Sequence, residues 1–185
     1  MGLVIGYFSR IEKAKGIFTL IDALAMIKDE NFKLLLVGWS DNHFEDFVFK
    51  RAEENGIFDK IVFITERLGQ KIVDYINCAD FVVVPSITTS IWKEQFGRIN
   101  SEVMACGVPV IGSSSGGIPE VVGDGGLIFR ENDPDDLKNK IVMLLRDKKL
   151  LSKLGKLAYK RVQDNYSVEK SAEKTLNLYR FLINH

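Results

Sequence analysis

The chain has 185 residues, with 25 Lys or Arg against 25 Asp or Glu, so its formal charge is zero; 46% of the residues are apolar, and there are 15 Gly and 4 Pro. That is the size of one globular domain with a substantial core, and the apolar content excludes a disordered chain. Uninterrupted apolar runs such as Phe81 to Val84 fall far short of the roughly 18 residues of a membrane span, and the balanced charge excludes a protein that works mainly by neutralising nucleic-acid phosphates.

The amino terminus shows no basic, then apolar, then small-residue signal pattern; Met1-Gly2 runs directly into the strand-like Leu3 to Phe8. Further β-rich runs follow at Lys33 to Val37, Lys60 to Ile64, Asp80 to Val84, Val108 to Gly112 and Gly126 to Phe129. Several are apolar throughout, which suits parallel strands buried on both faces. Helical periodicity fills the gaps. Ile17, Leu20, Ile21, Leu24 and Ile27 fall on one stripe, as do Phe44, Phe47, Val48 and Ala52, with Gly56 placed to end that helix. Strand and helix alternating in this way predict an α/β fold with a doubly wound parallel sheet.

After Phe129 only helix is predicted, on the stripes Leu137, Ile141, Leu144 and Leu145, then Leu151, Leu154, Ala158 and Val162, then Val168, Ala172, Leu176, Tyr179 and Leu182. Asp133-Pro134 reads as a helix start, with Asp as cap and Pro in the first turn. That role accounts for Asp133-Pro134-Asp135 better than the D-x-D pattern of metal-dependent sugar transferases does. No linker or repeat divides the chain, so one domain over 1–185 with a helical C-terminal layer is expected. Cys78 and Cys106 stand alone, without the second pair that a disulfide framework or zinc site requires. Both are expected to be buried thiols in a reducing compartment.

In open α/β sheets, ligands bind at the carboxyl ends of the strands. The segments leaving the predicted strands hold Arg10 and Lys15-Gly16, Gly38-Trp39-Ser40, Thr65-Glu66-Arg67, Pro85-Ser86 followed by Glu94-Gln95-Phe96-Gly97, and Ser113 to Gly117. Glu94 and Glu102 are eight positions apart, which on a continuous helix is about 12 Å, too far to share a proton or act as a glycosidase pair. Gly97 suggests a turn instead, with Glu94 on the loop and Glu102 on the helix that follows. A helix N-terminus between two carboxylates suits an anion flanked by hydroxyl-bearing groups, and Arg10 and Lys15 add cations for a diphosphate. The residues themselves lead as far as a diphosphate flanked by polyols. No G-x-G-x-x-G or P-loop pattern is present to favour a dinucleotide or nucleoside triphosphate.

At this point the sequence resembles a known family. "EQFGRINSEVMACGVPVIGSSSGGIPEVV" resembles the E-x7-E segment of glycosyltransferase family 4, retaining nucleotide-sugar transferases of the GT-B fold. "IGYFSRIEKAKGIFTLIDA" is similar to that family's opening strand and loop, "FVVVPS" to the strand before the E-x7-E loop, and "GGLIFRENDPDDL" to the return to the C-terminal helices. The resemblance covers essentially the whole chain. It implies a Rossmann-like, donor-binding half of a GT-B enzyme, in which Glu94 holds hydroxyls of the donor sugar and Glu102 the ribose. Main-chain N–H groups around Phe96, Gly97, Arg98 and Ile99 would meet sugar and diphosphate, Gly38 and Arg67 would lie at the nucleotide, and Arg10 and Lys15 would stabilise the departing diphosphate. By the same resemblance, a hexosyl group passes from a UDP-, GDP- or ADP-sugar to an acceptor with retention, and no metal or other cofactor is required.

The chain departs from the family pattern in three places. Gly38-Trp39-Ser40 stands where Gly-x-Gly is common, Thr65 replaces a common glycine, and Ile87 to Lys93 is lengthened. The resemblance also implies that an N-terminal acceptor domain is absent from this chain, which would be a fragment inactive alone. Its partners would be the donor and, through the missing domain, an acceptor sugar or lipid-linked saccharide. Nucleic acid and a transmembrane segment are not expected, and the location would be cytoplasmic, or peripheral at the membrane in the full-length protein. The alternatives are a non-catalytic nucleotide-sugar binding module and a GT-B sugar-nucleotide epimerase. The last helix is expected to expose apolar surface around Tyr179, Phe181 and Leu182.

Overall fold

The structure is a computed structural model that describes residues 2–65, 69 and 71–184. Strand and helix alternate as β1 (Leu3–Phe8), α1 (Ile17–Ala25), β2 (Phe32–Gly38), α2 (Phe44–Glu54), β3 (Ile61–Thr65), α3 (Ile72–Ile76), β4 (Phe81–Val84), α4 (Arg98–Ala105), β5 (Val110–Ser113), α5 (Ile118–Val122) and β6 (Gly126–Phe129). Three helices close the chain: α6 (Pro134–Arg146), α7 (Lys148–Asn165) and α8 (Val168–Ile183). The six strands form one sheet in the order β3-β2-β1-β4-β5-β6, with every neighbouring pair parallel. This is the doubly wound, Rossmann-like arrangement expected from the sequence, and its topological switch point lies between β1 and β4.

Side-chain alternation along the strands sorts the core into two layers. Ile5, Tyr7, Leu34, Leu36, Phe81, Val83 and Ile111 face α1, α2 and α6, whose contributions include Leu20, Leu24, Val48, Leu137 and Ile141. Phe8, Leu35, Val37, Val82, Val84 and Val110 face the other way, against Ile76, Val103, Met104, Ile118, Ala158 and Val162. Gly56 ends α2 as predicted: its N–H bonds to Glu53 O at 2.9 Å and that of Ile57 to Ala52 O at 3.0 Å, a pair of reverse bonds that satisfies the last carbonyls. Asp133 caps α6, accepting from Asp136 N at 2.9 Å. Asp135 pairs with Lys138 at 2.9 Å, so the literal D-x-D is occupied by helix chemistry.

Several expectations need correction. Cys78 is exposed and Cys106 only half-buried. Burial, reinforced by the nearby Glu102 carboxylate, still pushes the Cys106 thiol up, which disfavours thiolate. Phe47 stands 62% exposed rather than in the core stripe, packing its ring on Phe44 at 6.0 Å. The fifth strand starts at Val110, not Val108, because Pro109 has no N–H to offer the ladder. The third starts at Ile61 after a 3-10 turn over Phe58–Lys60. Helix α8 has no buried residue, and Tyr179, Phe181 and Leu182 are exposed, as expected. Among the described residues, no helix is long and apolar enough to cross a membrane.

Candidate functional site

The switch point splits the loops after β1 and β4, opening a crevice between neighbouring strands. Here the two loops are joined at the backbone. Gly16, the residue before α1, has φ of 69°, and a Cβ on it would overlap the carbonyl oxygen of Pro85. Only glycine satisfies both the left-handed conformation and the close approach. Nearby, Ile87 N donates to Ala14 O at 2.8 Å. On the other side, the buried Tyr7 hydroxyl donates to Arg10 O at 3.2 Å; burial pushes the phenol well above its usual range, so it stays protonated and remains a donor.

Residues 79 positions apart meet in this crevice: Lys15 Nζ donates to Glu94 Oε2 at 2.8 Å. The two side chains are 19% and 15% exposed, and Lys15 Nζ also lies 4.2 Å from the centre of the Trp92 ring. The sequence expectation that Lys15 and Glu94 share one rim is realised as a direct ion pair. Arg10 is placed differently: it pairs with Glu12 at 3.2 Å and lies over the Trp39 ring at 5.7 Å. Its guanidinium is therefore at the rim but engaged away from Glu94.

The Glu94 loop leads into α4 through Gly97, which occupies the cap position with φ of 68°. No side-chain oxygen caps this helix, so its first N–H groups, those of Arg98 and Ile99, retain donor capacity for an anion. Asn100 braces the turn: buried, it donates from Nδ2 to Gly97 O at 3.0 Å. One turn further along α4, the exposed Glu102 lines a cavity of about 360 Å³ with Phe8, Gly69, Ile72, Arg98 and Ile99. The two glutamates thus flank the N-terminal turn of α4 as predicted, Glu94 before it and Glu102 on the helix.

Phe96 is partly exposed and its ring meets Tyr166 edge-on at 5.4 Å. Gly38 is buried at the end of β2, where a Cβ would overlap Ser9 O. The missing side chain lets the loop after β1 lie close against the end of β2. Arg67, expected at the nucleotide, lies outside the described residues.

Sequence reasoning missed the supports of the Glu94 loop. Gly117 N donates to Glu94 O at 2.9 Å. Gly116 has φ of 58°, and a Cβ there would overlap that same Glu94 oxygen. The Gly116-Gly117 turn is therefore the seat of the Glu94 backbone and more than a strand-to-helix connection. A second support is polar. Thr88 donates to Glu131 Oε2 through its amide at 3.0 Å and through Oγ1 at 2.9 Å, and its Oγ1 lies 2.9 Å from Ser115 Oγ. Burial works to raise the Glu131 carboxyl, but the Thr88 and Ser115 hydrogen bonds and the Lys93 charge outweigh it and hold the group below its usual range. The run of three serines and two glycines at 113–117 was the available signal; its pairing with Thr88 and Glu94, 20 to 30 positions earlier, is encoded by no local pattern.

A family model described as "Glycosyl transferases group 1" matches residues 2–161. The chain is 34% identical over 183 residues to an uncharacterized glycosyltransferase of Methanocaldococcus jannaschii, covering 98% of this chain and 48% of that protein. Among solved structures, the sucrose-phosphate synthase of Thermosynechococcus elongatus superposes with a TM-score of 0.86 at 32% identity, over 99% of this chain and 46% of that one. Anabaena HepE in complex with UDP superposes with a TM-score of 0.83 at 27% identity, over 95% of this chain and 49% of that one. HepE is also known in complex with UDP-glucose. The chain spans about half the length of these relatives.

Proposed function

The chain belongs to the glycosyl transferases group 1 family, and we propose that its β1/β4 rim is the donor site of a retaining transferase of family 4, which moves a hexosyl group from a nucleoside-diphosphate sugar to an acceptor. The observation that carries this reading is the uncapped N-terminus of α4 set between Glu94 and Glu102, with Lys15 on Glu94. HepE, of the same fold, is known with UDP and UDP-glucose, so a UDP-sugar is the donor proposed first, ahead of GDP- and ADP-sugars.

Each residue then has a defined task. Glu102 accepts hydrogens from the ribose hydroxyls, in the cavity it shares with Arg98 and Ile99. The free N–H groups of the first α4 turn, at Phe96 to Ile99, meet the diphosphate or the sugar hydroxyls. Glu94 accepts from hydroxyls of the hexose and orients its anomeric carbon. Lys15, with Arg10 at the edge of the rim, faces the negative charge that grows on the diphosphate as the glycosidic bond breaks. In this reading the two cations supply the charge stabilisation, so no metal ion is assigned a role. The acceptor hydroxyl attacks the anomeric carbon on the face from which the diphosphate leaves and passes its proton to the departing diphosphate oxygen, giving retention. Transfer also needs an acceptor-binding surface opposite this rim in the whole protein, so the chain is proposed to bind donor without turning it over.

Ligand-observed NMR on the chain in metal-free buffer, with UDP-glucose, GDP-mannose and ADP-glucose together, tests the reading. Contacts to both ribose and hexose protons of one donor are expected. Ribose contacts alone would favour a nucleotide-binding module over a transferase, because nothing would then engage the sugar at Glu94.

A further inference from the structure

The rim carries a second cavity, of about 580 Å³, on the side of the 10–14 segment and the loop before Glu94. Arg10, Lys13, Ile87, Ile91, Trp92 and Asn132 are among its lining residues. It is distinct from the Glu102 cavity, with which it shares no residue. A lone exposed apolar side chain would call for no account, but Ile91 is 94% exposed on a loop that is pinned at both ends. Ile87 N bonds to Ala14 O at 2.8 Å and Thr89 N to Trp92 O at 2.8 Å. Thr88 is tied to Glu131, and Trp92 N donates to Thr89 Oγ1 at 3.0 Å. The loop thus holds Ile87, Ile91 and Trp92 as one apolar wall two residues short of Glu94.

Opposite that wall the charge is positive. Arg10 and Lys13 stand against the single carboxylate of Glu12, which already pairs with Arg10. Among the described residues no carboxylate is paired with Lys13. An apolar wall matches the C–H face of a sugar ring, and an unpaired ammonium matches a phosphate or carboxylate.

We propose that this cavity is an acceptor subsite, which packs the ring of an acceptor saccharide on Ile91 and Trp92 and draws an anionic substituent of that saccharide to Lys13. This rests on the donor reading of the Glu94 side, and it makes this chain, through its lengthened 87–93 loop, a contributor to acceptor specificity. Neither Ile91 nor Lys13 belongs to the donor machinery, and both are exposed, so Ile91→Ser and Lys13→Ala leave the fold intact.

The test is ligand-observed NMR of the chain with glucose 6-phosphate or methyl glucoside as probe, each with and without excess UDP-glucose. Donor contacts are read from the uridine and hexose protons of UDP-glucose, so a failure of the donor reading shows independently of the probe. Glucose 6-phosphate is expected to keep its contact when UDP-glucose fills the donor site, to exceed methyl glucoside, and to weaken roughly tenfold in each variant, the scale of one lost pocket contact. Displacement of the probe by UDP-glucose would overturn the proposal, since the probe would then have been sitting in the donor site. Contact that ignores both substitutions, equal contact by the uncharged glucoside, or no contact at all would overturn it as well.

Discussion

The two ends of this sheet differ in what they offer a ligand. At the amino ends of the strands, Leu3, Asp80, Pro109, Lys148, Leu151 and Tyr159 border a cavity of about 720 Å³, larger than either cavity at the opposite rim. Its carboxylate, Asp80, braces the start of β1 by accepting from Val4 N at 2.7 Å through Oδ2, and its lysines come from a single helix face. At the carboxyl ends, the loops of two non-consecutive strands bring Lys15, Glu94 and an uncapped helix N-terminus together. The lesson is that convergence of polar groups with unspent hydrogen-bonding capacity marks the site, and empty volume does not.

The comparison breaks most easily at Gly116. Alanine there takes a left-handed conformation and drives a methyl into the Glu94 carbonyl, so Gly116→Ala should cost at least about 2 kcal/mol of stability. Because the displaced element is the Glu94 loop, UDP-glucose affinity should fall with it; thermal unfolding and titration of one preparation check both. Second in size is Glu102→Ala, which removes the charged hydrogen-bond acceptor proposed for the ribose. Affinities for UDP and UDP-glucose should drop together by about 10- to 100-fold in calorimetric titration, with the unfolding midpoint unchanged.

A smaller effect concerns acid. Glu131 titrates below its usual range in the folded chain, so its hydrogen bonds stabilise the fold above that range, and the contribution is lost as pH falls through the lowered value. Thr88→Val removes the hydroxyl bond to Glu131 and should shrink the loss of stability between about pH 6 and pH 3, followed by thermal unfolding. Smallest of all is Lys156→Ala at the amino-end cavity, which should leave donor affinity unchanged and stability within about 0.5 kcal/mol. A clear loss of donor binding there would place a ligand at the wrong end of the sheet.

Much of this contrast was legible in the sequence, for physical reasons. Short, β-branched apolar runs such as Phe81 to Val84 suit buried strands, their alternation with helices favours parallel pairing, and that pairing aligns all the carboxyl ends on one rim. Gly97 separating Glu94 from Glu102 was enough to place a helix start between them. What was not legible depends on distant contacts. The pairing of Lys15 with Glu94, the diversion of Arg10 to Glu12 and Trp39, and the seating of Glu94 on Gly116-Gly117 each join segments whose separation no local period encodes. Cys78 and Phe47 were misplaced for a related reason: burial at a helix end depends on what packs over it, and both side chains are left exposed.

In the proposed donor site Glu94 serves the sugar while the rest of the rim serves the nucleotide. The affinity of Glu94→Ala for UDP and for UDP-glucose, compared with the parent chain by calorimetric titration, separates the two roles. UDP-glucose should lose about tenfold or more while UDP is spared, because the substitution frees Lys15 from its ion pair to face the diphosphate. Equal losses for the two ligands, or a loss for UDP alone, would contradict this division of roles.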